Sequence, residues 1–266
     1  MKLEVRNVTK IYQSNSKERT VQALKGVSFS VEEGAILGIV GESGCGKSTL
    51  SRIIAGLEEP TSGEVLISGE RRAGIPRFIR KSSKRPIQLV FQDPYSSLNP
   101  RQTIFNAIEE VIRIYEPTLD GSALEARVFE LLGSVGIGKD LSHRYPHQFS
   151  GGQRQRICIA RSLAAKPEIL VLDEPVSALD VSVSADIINL LLDLQREFNL
   201  TYIFVSHDLG IVKHVSDSII VMLAGEIVEY GSWTEVMDTP KHVYTQRLIA
   251  AIPNLDKLKI KESGEQ

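Results

Sequence analysis

The chain has 266 residues, which suits one large domain with subdomains or two small ones, and its 42% hydrophobic and 24% charged residues are ordinary for a globular protein. A formal net charge of −2 gives no electrostatic case for a nucleic-acid partner, so none is expected. Cys45 and Cys158 are too few for a disulfide framework and point to a reducing compartment, and no apolar run reaches the about 20 residues that a membrane helix needs.

The first segment, Met1 to roughly Glu33, alternates in the manner of antiparallel strands, with Leu3, Val5 and Val8 and then Val27, Phe29 and Val31 at spaced positions, and no leader is expected ahead of it. Ala35 to Val40 is a continuous apolar run ending in glycine, the pattern of a parallel strand buried on both faces. A helix is expected from Lys47 to Leu57, stopped near Gly56 and Pro60, and a short strand from Glu64 to Ser68. Arg71 to Arg85 is locally basic; it reads as a solvated loop, the other reading being a surface facing anionic lipid headgroups. From Asn99 to Ala165 the spacing turns helical: Ile104, Ile108, Val111 and Ile112 share a face, as do Val128, Leu131 and Leu132. Strand character returns at Glu168 to Asp173, followed by a helix from about Val183 to Phe198, a strand from Thr201 to Ser206, and strands at Ile219–Leu223 and Glu226–Glu229. The tail from Leu255 is charged and is expected to fray.

Three stretches carry chemistry. Gly41-Glu42-Ser43-Gly44-Cys45-Gly46-Lys47-Ser48-Thr49 fits G-x-x-x-x-G-K-[ST] between a predicted strand and a predicted helix. Glycines let consecutive N–H groups turn around a phosphate, and the following helix aims its positive end at the same anion. Lys47 supplies a cation for the β- and γ-phosphates of a nucleotide, and Ser48 an oxygen for Mg²⁺. A chance match in a chain of this length has a probability of about one percent. Cys45 reads as a small residue tolerated in the loop; the alternative is a thiol of lowered pKa at a helix N-terminus, which a maleimide would modify with loss of activity and ATP would protect.

Second, the apolar strand Ile169–Leu172 ends in Asp173 and Glu174. At the carboxyl end of a parallel strand these face the ligand crevice, where Asp173 would hold the Mg²⁺ hydration shell and Glu174 would orient and polarise the attacking water. A helix-capping pair is the competing reading, which the upstream phosphate loop weakens. Third, Ser150, Gly151 and Gly152 stand just before a helical run from Ile157 to Ala165. They form a second anion-binding pattern in one chain, or an ordinary Ser N-cap with a glycine turn.

Together these residues resemble the ATPase subunits of ABC transporters over essentially the whole length. Phe149-Ser150-Gly151-Gly152-Gln153 is similar to that family's LSGGQ signature, with Phe in place of Leu. Gln92 matches the Q-loop, Ser177-Ala178-Leu179-Asp180 the D-loop, His207 the switch histidine, and Tyr12 the aromatic residue that stacks on adenine. The resemblance implies ATP and Mg²⁺ as cofactors, with Ser48, Gln92 and, through water, Asp173 near the metal. It implies a head-to-tail pair in which Ser150, Gly151, Gly152 and Gln153 act in trans on the partner's ATP, while Glu174, His207 and Gln92 serve hydrolysis. The fold class expected is α/β: a P-loop NTPase (RecA-like) core with an N-terminal antiparallel β layer and an inserted helical subdomain. Residues 1–253 would form the ATPase domain, with 1–94 and 166–235 as core, 95–165 as the helical signature subdomain and 236–266 as a C-terminal extension.

Phe91-Gln92-Asp93-Pro94-Tyr95-Ser96-Ser97-Leu98-Asn99-Pro100-Arg101 resembles the oligopeptide, dipeptide and nickel importers, as do Ile157–Ala164, Val176–Val183 and Val243–Leu248, the last with Val243 where Pro is usual. That resemblance implies a second ABC ATPase subunit (a heterodimer being expected before a homodimer), two transmembrane permease subunits, an extracytoplasmic solute-binding protein acting indirectly, and a peripheral place on the cytoplasmic face of the membrane. The cysteine cluster carried by many peptide importers is not in the sequence, so no iron–sulfur or cysteine-dependent role is expected, and the solute stays open between peptides and nickel or another chelated or related small solute. A soluble ABC ATPase of the translation or repair type is the first rival; a single phosphate loop and the lack of sustained heptads weigh against it. A nucleotide switch is the second; Lys47, Asp173, Glu174 and His207 together argue for turnover.

Overall fold

A computed structural model describes residues 1–13, 20–71 and 87–251. The basic residues from Arg72 to Arg85, Pro253 and the tail from Leu255 lie outside them. Strands β1 (Leu3–Gln13), β2 (Thr20–Val31), β4 (Ser62–Ile67) and β5 (Glu70–Arg71) make an antiparallel sheet in the order β2-β1-β4-β5. The second sheet has the order β10-β9-β3-β8-β7-β6, built from β3 (Ile36–Val40), β6 (Ile87–Val90), β7 (Ile169–Asp173), β8 (Thr201–Val205), β9 (Ser218–Leu223) and β10 (Glu226–Ser232). Its first five strands in chain order pair in parallel, and β10 is an antiparallel edge.

The central strands are apolar throughout because each face meets a different core. Along β7, Ile169 and Val171 join Leu3, Val5, Leu24 and Phe29 of the antiparallel sheet and Leu50, Ile53 and Ile54 of α1 (Lys47–Ala55). Leu170 and Leu172 point the other way, into the helices α3 (Ile104–Tyr115), α4 (Gly121–Ser134), α5 (Gly151–Leu163) and α6 (Val181–Phe198). Burying a Leu or Ile side chain contributes roughly 1.5–3 kcal/mol, so this two-sided burial is what fixes the strands.

The helix predicted from Lys47 ends at Ala55, where Gly56 turns left-handed and its N–H reaches back to the carbonyls of Arg52 and Ile53. Ile104, Ile108 and Ile112 of α3 are fully buried as their spacing predicts, and Val111 lies at the edge of the same core. Between α5 and the segment after β6, the Arg154 guanidinium stacks 3.7 Å over the ring of Tyr95 in α2 (Pro94–Ser97). Three short helices, α7 (Leu209–Val215), α8 (Trp233–Asp238) and α9 (Val243–Ala250), follow α6, each too short to show a helical period in the sequence.

Candidate active site

Strands β3, β8, β7 and β6 lie side by side and parallel, so their carboxyl ends deliver four loops to one edge. A cleft of about 490 Å³ opens there, lined by Ala23, Ser43, Gly44, Gly46, Lys47, Ser48, Thr49, Gln92, Glu174 and His207. The phosphate loop leaves β3 and enters α1 through Gly46, which caps the helix at φ 109. A Cβ there would sit 2.5 Å from the carbonyl oxygen of Ala23, so only glycine fits the turn. No side chain caps α1, and its first residues Lys47, Ser48 and Thr49 line the cleft. Lys47 is buried, its ammonium donating to the carbonyl oxygens of Gly41 at 2.6 Å and Glu42 at 3.0 Å.

Asp173 and Glu174 diverge. Asp173 is buried at the end of β7, and Ser48 Oγ donates to its Oδ1 at 3.4 Å. Burial pushes the Asp173 carboxyl above its ordinary value, with the Ser48 hydroxyl drawing it back. Glu174 takes a left-handed backbone, φ 50, pinned by its N–H on the carbonyl of Val205 at 2.9 Å. That conformation costs a non-glycine residue on the order of 1 kcal/mol and swings the side chain to the opposite wall. There its Oε2 accepts from Gln92 Nε2 at 3.0 Å and lies 3.2 Å from His207 Nδ1. Gln92 Nε2 also donates to Ser177 Oγ at 3.3 Å. The helix-capping reading of the acidic pair therefore does not hold: α6 begins after Asp180, and the two carboxylates face the cleft side.

Among the described residues no group of three or more His, Cys, Asp and Glu could hold a metal alone. The Ser48 hydroxyl beside the Asp173 carboxylate, with Gln92 across the cleft, is instead a sparse oxygen donor set, which fits Mg²⁺ because that ion keeps waters and shares phosphate oxygens.

The remaining candidates stand around this cleft. Tyr12 on β1 donates from its hydroxyl to Glu58 Oε2 at 2.8 Å and lies 3.4 Å from Thr49 Oγ1, which sets its partly exposed ring beside the start of α1. Cys45 corrects the reactive-thiol reading. The residue is 5% exposed and packed in the core beneath the loop, and burial pushes the thiol upward although the Lys47 ammonium pulls the other way. The sequence shows the helix N-terminus but not the burial that outweighs it.

The signature residues do not line the cleft. Ser150 caps α5: its Oγ accepts from the Gln153 N–H at 3.3 Å while Gln153 Oε1 accepts from the Ser150 N–H at 3.0 Å. The N-cap reading is thus correct as geometry, and the glycine amides of the first turn stay at the helix's positive end. A Cβ on Gly151 would touch Leu179 at 3.3 Å, so the D-loop residues Ser177–Asp180 lie between the signature and the acidic pair.

Comparison with known proteins decides the family. The ABC transporter family profile matches residues 24–177. The chain belongs to the ABC transporter family. It is an ATP-binding, ATP-hydrolysing subunit that powers transport. This ABC ATPase is 48% identical over 257 residues to the oligopeptide transport ATP-binding protein AppF of Bacillus subtilis (strain 168), covering 94% of this chain and 78% of that one. It is 46% identical over 252 residues to the dipeptide transport ATP-binding protein DppF of Escherichia coli (strain K12), covering 93% and 75%. Its fold is similar to the dimeric post-hydrolysis structure of the ATP-binding cassette MJ0796 bound to ADP and Pi, with a TM-score of 0.76, 33% identity and coverage of 87% of this chain and 98% of that one. The structure of cbiO1 from Clostridium perfringens, part of the ABC transporter complex cbiONQ, gives a TM-score of 0.72 at 30% identity, covering 89% and 90%.

Proposed function

We propose that this ABC ATPase drives the import of peptides, pairing with a second ABC ATPase beneath two permease subunits that an extracytoplasmic solute-binding protein supplies. The peptide assignment rests on relatives named for oligopeptide and dipeptide transport. The peripheral place on the cytoplasmic face rests on the same transport relatives; among the described residues no helix is long and apolar enough to cross a membrane.

The observation that carries the mechanism is the placement of Glu174 between Gln92 and His207 at the mouth of a phosphate cleft, while the Ser150 helix start stands outside that cleft. Residues Gly41 to Thr49 hold the ATP phosphates, with Lys47 neutralising the β- and γ-groups, and Tyr12 stacks on the adenine. Mg²⁺, when bound, spreads the developing phosphate charge; Ser48, Gln92 and, through water, Asp173 would hold it. Glu174 Oε2 accepts from Gln92 and faces His207, so its other oxygen is left to orient a water toward the γ-phosphate. His207 keeps Glu174 in place and bonds the γ-phosphate. Ser150, Gly151, Gly152 and Gln153 close the partner's cleft in trans, and the D-loop Ser177, Ala178, Leu179 and Asp180 lies along the same seam. Residues 95–165 act as the signature subdomain on a core of 1–94 and 166–235, within an ATPase domain of 1–253.

The solute is tested by purifying the chain with its permease and solute-binding protein and identifying the bound molecule by mass spectrometry. Peptides are expected. A chelated metal in their place would overturn the peptide assignment and leave the ATPase reading standing.

A further inference from the structure

Segment Val243–Leu248 takes no part in the cleft described above, yet it reaches the phosphate loop. Tyr244, in the first turn of α9, accepts a hydrogen bond at its hydroxyl from the backbone N–H of Glu42 at 2.9 Å. The same peptide unit is held at its other end, where the Gly41 carbonyl oxygen accepts from Lys47 Nζ at 2.6 Å. One peptide plane at the entry to the loop is therefore gripped at its oxygen by the loop's own lysine and at its nitrogen by α9. Turning that plane would break both bonds, and Gly41, with no Cβ, offers little resistance of its own.

The grip comes from a rooted element. On β10, Glu229 accepts from the backbone N–H groups of Lys241 at 2.8 Å and His242 at 3.1 Å. Burial alone would raise the Glu229 carboxyl, but the hydrogen bonds it accepts outweigh this and hold it below the ordinary range. His242 Nδ1 accepts from the Tyr244 N–H at 3.1 Å and caps α9, and Thr245 is fully buried. Burial pushes the Tyr244 phenol upward, so it stays neutral at physiological pH and available as an acceptor.

We propose that Tyr244 is a positioning residue for nucleotide binding: it presets the Gly41–Glu42 peptide, and through it Lys47, before the phosphates arrive. This rests on the reading that the loop holds ATP. Without the hydroxyl the peptide must be ordered during binding, and that cost falls on affinity. The bond is solvent-exposed, so water can take over the Glu42 N–H and the effect is moderate. A net hydrogen-bond contribution of this kind corresponds to about a two- to tenfold loss. Turnover at saturating ATP should stay within about twofold, because no hydrogen bond joins Tyr244 to Glu174 or His207, and the loss appears in KM.

The test titrates a fluorescent ATP analogue into the full chain as wild type, Tyr244→Phe, Glu229→Gln and Val236→Ala, with a melting curve for each, and measures KM and kcat for ATP in the assembled transporter carrying Tyr244→Phe. Val236 is buried in α8 and is not among the residues that hold Tyr244 on Glu42, so its truncation controls for stability alone. The expected result is weaker binding for Tyr244→Phe, a smaller loss for Glu229→Gln, wild-type affinity for Val236→Ala despite its lower Tm, and a raised KM with kcat kept. Tyr244→Phe binding as wild type does, or Val236→Ala weakening affinity as much as Tyr244→Phe, would overturn the inference. A wild-type chain that fails to bind the analogue would overturn the reading of the loop and this inference with it.

Discussion

Substituting Gly152 by Ala probes how the signature turn is held against its own chain. A Cβ at Gly152 would lie 2.4 Å from Cγ1 of Val183 on α6, with the next atom, Val183 Cβ, at 3.9 Å. The conflict is thus with one methyl of a β-branched side chain, which has few rotamers to escape into. Overpacking of this size costs about 1–3 kcal/mol. The better helix propensity of Ala returns up to roughly 1 kcal/mol. A net loss on the order of 1 kcal/mol remains, lowering Tm by about 2–4 °C in a domain of this size. Val183→Ala removes the opposing methyl, so the double variant should be more stable than the two single losses predict. Urea denaturation of the four proteins forms the cycle, and a favourable coupling of about 1 kcal/mol is expected. Additivity to within about 0.5 kcal/mol would refute the reasoning that the signature turn rests on α6.

Further outcomes follow from the cleft. Cys45, buried and with its thiol raised, should react with a maleimide far more slowly in the folded chain than after denaturation, and its rate should climb with pH; rapid labelling at neutral pH would contradict the burial. Asp173→Asn should abolish ATPase activity yet raise Tm at pH 7. Burial raises the Asp173 carboxyl, so the stability favouring its neutral form is full below the unfolded-state pKa of about 3.9 and is lost as pH rises through the higher folded value. The Tm advantage of Asp173→Asn should therefore shrink as the pH falls toward that range, and a lower Tm than wild type at pH 7 would count against the assignment.

What the sequence revealed tracks how locally each feature is determined. Strands β3, β7 and β8 were legible because burial on both faces leaves an unbroken apolar run, and α3 because Ile104, Ile108 and Ile112 repeat at helical spacing. The phosphate loop was legible because its glycines and lysine are contiguous. The four-residue β6 and seven-residue α7 were not, since neither is long enough to show a period. The left-handed turn at Glu174 escaped as well, because a carboxylate at φ 50 leaves no compositional mark. The Tyr244 bond to Glu42 spans 202 residues, and only the folded chain brings the two together. Of the two readings of Cys45 the structure keeps the tolerated small residue: the helix N-terminus that would activate a thiol is local, whereas the core that buries it comes from Leu24, Leu50 and Met222.

The central claim is that Glu174 drives hydrolysis of an ATP whose enclosure needs a second subunit. Its most direct test is Glu174→Gln, assayed for ATPase activity and for association on size-exclusion chromatography with ATP, alone and with the partner ATPase subunit. The amide keeps the size of the side chain and can still meet Gln92 and His207, so the cleft should survive. We predict a fall in turnover of about 10²-fold or more and an ATP-dependent dimer that the hydrolysing wild type does not accumulate. Wild-type turnover in Glu174→Gln, or a chain that stays monomeric with ATP under both conditions, would contradict the account.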